Sequence, residues 1–207
     1  MKLHDLSIKQ FIEKTASNEA MPAGGSTLAL CAALAAAIAE MVAKLTFGKA
    51  KYAQADKRMR EIATELERNR TLLMNDIDRD AESFQIVLNA YQLPKSSDDE
   101  TDIRNKEIEN ALKPATLVQM EVAEKCHNIF GLITEITNIV GGSLAADSKV
   151  SLLICNTAAK GAIINVRANL SQIVDTDFTK ELIAKCDMID KDIDVKLLHC
   201  DIKHQFL

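Results

Sequence analysis

The sequence predicts an all-α fold, an up-and-down bundle of long helices, and three observations carry that expectation. Ala, Leu, Ile, Glu and Lys dominate a chain of 207 residues that holds only seven Gly and three Pro, too few for a many-stranded or loop-rich fold. Apolar residues recur at steps of three and four over long windows, with no alternating run of strand type and no internal repeat. The length suits one sizeable domain over residues 1–207, or one whose core a partner completes.

Each helix has its own start and stop signals. Ser7 with Gln10 forms a capping-box pattern that opens a first helix to about Asn18, with Phe11 and Ile12 as apolar contacts. "NEAMPAGGS" breaks that pattern. An Ala-rich second helix then runs from about Ser26 to Phe47, its small side chains allowing close helix approach, and stops at Gly48, a residue suited to a left-handed C-terminal position. A third runs from about Tyr52 to Leu93, ended by Pro94 and "KSSDDE". The fourth spans about Glu100 to Ile139, with Pro114 kinking or splitting it near Lys113, and Gly141 and Gly142 end it. A fifth, from about Leu144 to Leu170, is apolar on nearly all sides and is expected to be central; a sixth, amphipathic, runs from about Asp177 to His204. Two such apolar helices are more than one narrow bundle covers, which predicts a homodimer.

Composition excludes several classes of function. A formal net charge of -5, without a continuous basic stripe, argues against nucleic acid as a partner. Cys31, Cys126, Cys155, Cys186 and Cys200 are odd in number and widely spaced, with no CxxC pair, which predicts reduced thiols in a cytoplasmic protein. The opening "MKLHDLSIKQFIEK" has charges where a signal peptide needs an apolar run. In "GGSTLALCAALAAAIAEMVAKL" the uncharged part, Gly24 to Ala39, rises about 24 Å as a helix, short of the roughly 30 Å hydrocarbon core. A buried central helix is expected there, not a membrane span.

Chemistry is sought where polar residues interrupt apolar patterns. In the third helix the stripe Met59, Ile62, Leu66, Asn69, Leu73, Ile77, Asp80, Phe84, Val87 and Tyr91 places Asp80 between Ile77 and Phe84, so Asp80 is expected to be partly buried. Asp76 lies near the edge of that face and Asp78 points away from it. A buried aspartate is either neutralised by a cation or helix terminus, or is a desolvated proton carrier with a raised pKa. In "PAGGS", Gly24, Gly25 and Ser26 form either a carboxylate or oxyanion site at a helix N-terminus or a tight turn capped by Ser26. In "NVRAN", Asn165 and Asn169 share one face of the fifth helix and need partners, from other helices or from the polar edge of a heterocyclic ligand. "KAKYAQADKRMR" reads as a solvated helix start, with Lys49 and Lys51 able to meet an anionic tail if they border a cleft. Among His199, Cys200 and His204 only the last two share a helical face, so no metal site is expected. His4 and His127 have no visible partner.

Taken together, "MPAGGSTLAL", "AEMVAKLTFGKAKY", "DIDRDAESFQIVLNAYQLPK" and "NVRANL" resemble the folate cyclodeaminase/cyclohydrolase family over nearly the whole chain. The family comprises formimidoyltetrahydrofolate cyclodeaminases and methenyltetrahydrofolate cyclohydrolases. The resemblance implies an all-α homodimeric enzyme acting on a tetrahydrofolate derivative, with no cofactor beyond that substrate and no metal. It implies Asp80 as the catalytic acid/base, matching the second Asp of the family's Asp-x-Asp-Ala-Glu-x-Phe segment. Gly24, Gly25 and Ser26 would position an anionic or carbonyl group, Asn165 and Asn169 would bond the pterin edge, Lys49 would meet a glutamate tail, and Asp147 is a retained family position. Two departures stand out. Ala23 replaces a glycine of the family's turn, and Gly141 and Ala146 stand where the family has Asn and Ser. The competing reading is a non-catalytic helical dimer that binds folate or a protein, with Asp80 structural.

Overall fold

A computed structural model describes residues 2–200, and every regular element among them is helical. The helices are α1 (Ile8–Thr15), α2 (Gly24–Lys44), α3 (Asp56–Tyr91), α4 (Asp98–Ile139), α5 (Ser143–Leu170) and α6 (Thr176–His199), with 3-10 turns at Leu3–Asp5 and Ala50–Ala55. The capping box of α1 closes: Gln10 N–H donates to Ser7 Oγ at 3.3 Å and Ser7 N–H donates to Gln10 Oε1 at 2.9 Å. That helix ends at Thr15, short of Asn18. α2 starts two residues earlier than expected, with Ala23 as its N-cap, so Ser26 lies inside the first turn and is not the cap. Gly48 has φ 68°, the left-handed conformation its position called for, and its N–H donates to Asp56 Oδ1 at 2.8 Å.

Pro114 neither splits nor ends α4, which is continuous from Asp98 to Ile139. Pro114 is exposed, and so is Asn110, whose carbonyl loses its donor. The missing hydrogen bond therefore falls on the solvent face, where water supplies the donor. The expected last residues of the sixth helix, His204 among them, lie outside the described residues.

Packing follows chain order. α2 packs on α3 and α5, α4 closes against the other side of α3 and α5, and α6 covers α4 and α5. This is an up-and-down four-helix arrangement of α2 to α5 with one added helix. The alanines of α2 hold the bundle tight: Ala29, Ala32, Ala35, Ala36 and Ala39 have no exposed surface. Where α5 meets α2, a Cβ on Gly161 would overlap the Leu28 side chain. At 21 residues, α2 is about 31 Å long, enough to cross a bilayer; length therefore does not exclude a span as the sequence suggested. Its apolar window is instead 56% buried inside the bundle. The remaining faces of α2 and α5 expose Leu34, Met41, Leu45, Val150, Leu153 and Ile164.

Candidate active site

The three aspartates of "NDIDRDAESF" form no solvated edge: Asp76, Asp78 and Asp80 are all buried, at 1%, 9% and 8% exposure. Asp78 points away from the α3 stripe, as counted, but the N-terminal turn covers it. Leu3 N–H donates to its Oδ1 at 2.6 Å and His4 Nδ1 bonds its Oδ2. His4 thus has a partner, and so does His127, whose Nε2 lies 2.6 Å from Asp192 Oδ2. Asp76, expected at the edge, is the most buried of the three and belongs to an ion network with Arg79 at 2.6 Å and Lys125 at 2.9 Å.

Asp80 is different. Its Oδ2 accepts from Ser26 Oγ–H at 2.8 Å and its Oδ1 from Gln119 Nε2–H at 2.5 Å. Burial pushes its pKa above the usual carboxylate range, and the Ser26 hydroxyl, the Gln119 amide and the Ser26 backbone N–H oppose that rise without cancelling it. No cation is among these partners, so the ion-paired alternative does not describe this site, whereas the bond from the Ser26 N–H in the first turn of α2 is the helix-terminus contact the sequence also allowed. Ser26 faces Asp80 because α2 begins at Gly24, which points a first-turn N–H and a short hydroxyl at α3.

Gly25 makes the approach possible. A Cβ there would overlap Asp80 Oδ1 and Gln119 Nε2 and would lie 2.5 Å from Asp80 Cγ. The glycine is required by the Asp80 carboxyl itself, whereas the turn was expected to serve close approach of a ligand. Gly24 is exposed, and a Cβ on it would meet nothing within 4 Å. Outside this turn lies a surface cleft of about 480 Å³ lined by Pro22, Ala23, Gly24, Thr27 and Leu28 among others. Asp80 sits behind Gly25 and does not line that cleft.

Gln119 is the residue that sequence reading missed. It is 2% exposed and occupies one slot of the buried α4 series Ile108, Leu112, Ala115, Gln119, Val122, Cys126, Ile129, Ile133, Ile136, whose steps alternate four and three. The count that singled out Asp80 on α3 singles out Gln119 on α4. Asn165 joins the same cluster: its Nδ2–H donates to Gln119 Oε1 at 3.3 Å. Asn169, one turn further along α5, is half-buried and has no side-chain hydrogen bond among the described residues. Each of the four bundle helices thus contributes one polar side chain: Ser26 from α2, Asp80 from α3, Gln119 from α4 and Asn165 from α5.

Lys49 and Asp147 are not brought to this cluster within one chain. Lys49 follows the C-terminal end of α2 while Ser26 sits at its start, a separation of roughly 30 Å along the helix. Asp147 precedes Asn165 on α5 by about 27 Å of rise. The far end also holds Gly141, where a Cβ would lie 3.5 Å from Lys51 Nζ, and Ala146. Both residues that depart from the family pattern there are therefore remote from Asp80.

Residues 7–188 match the family model described as formiminotransferase-cyclodeaminase. The chain belongs to the formiminotransferase-cyclodeaminase family. Among its relatives is a methenyltetrahydrofolate cyclohydrolase of Methylorubrum extorquens, 31% identical over 175 residues that cover 84% of each protein. The formimidoyltransferase-cyclodeaminase of Rattus norvegicus is 30% identical over 179 residues, covering 86% of this chain and 33% of the rat protein. This chain thus spans about a third of the rat relative. The crystal structure of a formiminotetrahydrofolate cyclodeaminase from Thermotoga maritima aligns with a TM-score of 0.87 at 27% identity, over 97% of this chain and 96% of that one. The family's fold therefore extends over practically the whole bundle, including the four helices that meet at Asp80.

Proposed function

We propose that this chain is a one-carbon folate enzyme that acts at the N5–N10 bridge of tetrahydrofolate, as a methenyltetrahydrofolate cyclohydrolase or a formimidoyltetrahydrofolate cyclodeaminase, with Asp80 as its acid–base group. The observation that carries the reading is a buried carboxyl with a raised pKa, hydrogen-bonded by neutral donors only. Such a group holds its proton more tightly than an ordinary carboxyl and is suited to acid–base exchange, and both reactions need a proton exchanged at the bridging carbon. In cyclohydrolysis the ionised carboxylate takes a proton from water as its oxygen bonds to the methenyl carbon. The carbon–N5 bond then breaks as the adduct's hydroxyl loses its proton to solvent and becomes the formyl C=O, N5 takes back the proton held by the carboxyl, and 10-formyltetrahydrofolate remains. In cyclodeamination N10 attacks the formimino carbon, the N10 proton passes to the imino nitrogen, and a further proton lets ammonia depart, leaving the methenyl cation. One carboxyl that alternates between its two forms serves either sequence. Asn169, whose side-chain amide has no hydrogen bond among the described residues, and the Asn165 amide oxygen are suited to the pterin edge, and the exposed turn at Gly24 to an anionic or carbonyl group.

The same reading includes a homodimer. The uncharged strip of Leu34, Met41 and Leu45 on α2 and Val150, Leu153 and Ile164 on α5 suits a second copy of the same strip. A two-fold axis that reverses α2 would carry the Lys49 and Asp147 end of one copy to the Asp80 end of the other. Substrate contacts by Lys49 and Asp147 are then contacts made across the dimer. A cytoplasmic location fits the five free thiols.

The test is an absorbance assay of methenyltetrahydrofolate consumption run beside one that supplies 5-formimidoyltetrahydrofolate and detects ammonia. Turnover of at least one by the wild type, and of neither by a folded Asp80→Asn dimer, is the expected result. Turnover by Asp80→Asn, at the wild-type rate, of any substrate the wild type uses removes the residue from the mechanism.

A further inference from the structure

One hydrogen of the Asn165 amide is spent on a buried glutamine. We propose that Asn165 and Gln119 form a positioning relay, in which Asn165 Nδ2–H bonds Gln119 Oε1 and thereby keeps Gln119 Nε2–H directed at the Asp80 carboxylate. The inference rests on Asp80 as the acid–base group for its catalytic meaning, but its physical content is independent of that reading.

Gln119 is almost without access to water, so both ends of its amide must find partners inside the protein. The oxygen and nitrogen ends are nearly the same size, and which one faces Asp80 decides what Asp80 is. With the N–H toward it, Asp80 is favoured as an ionised acceptor. With the oxygen toward it, Asp80 must keep its proton and donate. Ser26 cannot make that choice for it, because a hydroxyl turns freely and donates or accepts as needed. Asn165 makes it, by offering a donor to the Gln119 oxygen. The bond to Asp80 is short, at 2.5 Å, and the bond from Asn165 longer, at 3.3 Å, so Asn165 is the softer end of the relay.

The charged groups around the relay are engaged elsewhere. On α3 and α4, Asp76, Arg79, Glu121 and Lys125 pair with one another. On α5, Arg167 pairs with Asp187 of α6, and at the N-terminal turn His4 pairs with Asp78. On α2, Glu40 pairs with Lys44 and with Arg70 of α3, toward the other end of the helix. Control of the Asp80 proton therefore falls to oriented neutral dipoles. The relay also couples two sites: a ligand hydrogen donated to Asn165 Oδ1 holds the Asn165 amide in the orientation that favours ionised Asp80.

The experiment is a pH titration of the Asp80 carboxyl by carbon NMR in the unliganded protein, for wild type, Gln119→Leu, Asn165→Leu and the double variant. Gln119→Leu should move the Asp80 midpoint to higher pH, because a hydrogen bond to the charged form is lost. Asn165→Leu should move it in the same direction by less, and the double variant should match Gln119→Leu alone. A wild-type midpoint in Asn165→Leu overturns the relay, as does a double variant shifted well beyond Gln119→Leu. If Gln119→Leu does not fold, the Asn165→Leu titration decides by itself. In parallel, Asn165→Leu should move the corresponding limb of the pH–rate profile to higher pH, and KM should rise as well, because the same change removes the oxygen offered to the pterin edge. A raised KM with both the NMR midpoint and the pH–rate profile unmoved overturns the relay in favour of direct substrate contact alone. An NMR shift with an unmoved pH–rate limb leaves the relay standing and counts against Asp80 as the acid–base group.

Discussion

Asp76 and Asp80 lie one turn apart on α3, and both are buried, yet they are opposite kinds of residue. Asp76 has Arg79 and Lys125 within ion-pair distance; Asp80 has a hydroxyl, an amide and a backbone N–H. Burial has the same cost for either carboxylate, and what differs is how it is offset. A cation holds an aspartate ionised and makes it part of the scaffold, whereas neutral donors leave both protonation states within reach. The comparison teaches that burial alone does not identify a functional acid; the partner set does.

The largest expected effect lies on Asp80. Asp80→Asn should lower turnover by about a hundredfold or more, because the amide keeps the shape and loses the proton. Its thermal midpoint at neutral pH should equal or exceed that of the wild type. The sign follows from the raised pKa. A folded-state pKa above the unfolded value contributes stability that is complete below the unfolded value, about 3.9, and is lost as pH rises through the folded one. The midpoint advantage of Asp80→Asn should therefore grow from acid to neutral pH, and a constant or reversed difference would count against a desolvated Asp80.

Asp76→Asn should do the converse. Stranding Lys125, which is 16% exposed, beside a neutral amide should cost about 2 kcal/mol, less than for a fully buried pair because Arg79 is partly solvated. Denaturant melts measure this, and specific activity per folded molecule should stay within about twofold of wild type. Lost activity at unchanged stability would break the distinction between the two aspartates.

Gly25→Ala sharpens it. The atoms that an added Cβ meets are the ends of two side chains, so these shift while the backbone stays, and the damage should appear in catalysis. A fall of about tenfold in kcat with little change in melting is expected. Unfolding instead would mean that the α2–α3 contact cannot yield. The smallest effect belongs to Asp78→Asn, which weakens the His4 contact and should cost about 1 kcal/mol. It should leave the activity intact, as seen in parallel melts and rates.

Much of this molecule was legible in order along the chain. The six helices, the capping box at Ser7, the left-handed Gly48 and the Asp80 slot follow from periods of three and four and from local backbone chemistry, which act over a few residues and need no tertiary information. The boundaries moved where local signals competed: Ser26 looked like a cap because serine caps helices well, but Gly24 and Gly25 are helical and Ser26 serves α3. Gln119 carried the same periodic signal as Asp80 and was passed over, because an amide in an apolar series draws less notice than a charge.

What the sequence determined by itself was the set of helices, their apolar faces and the existence of a carboxyl in an apolar slot. The tertiary structure decided which partners surround each of the three neighbouring aspartates. Those partners come from residues 39 to 54 positions away for Asp80, and for Asp76 from Arg79 on its own helix and Lys125 on the neighbouring one. It also separated Lys49 and Asp147 from Asp80 by the length of a helix, a distance that sequence motifs do not encode. The physical reason is that a helix sets its own hydrogen bonds within four residues, whereas the protonation of a buried carboxyl depends on whatever other helices place around it.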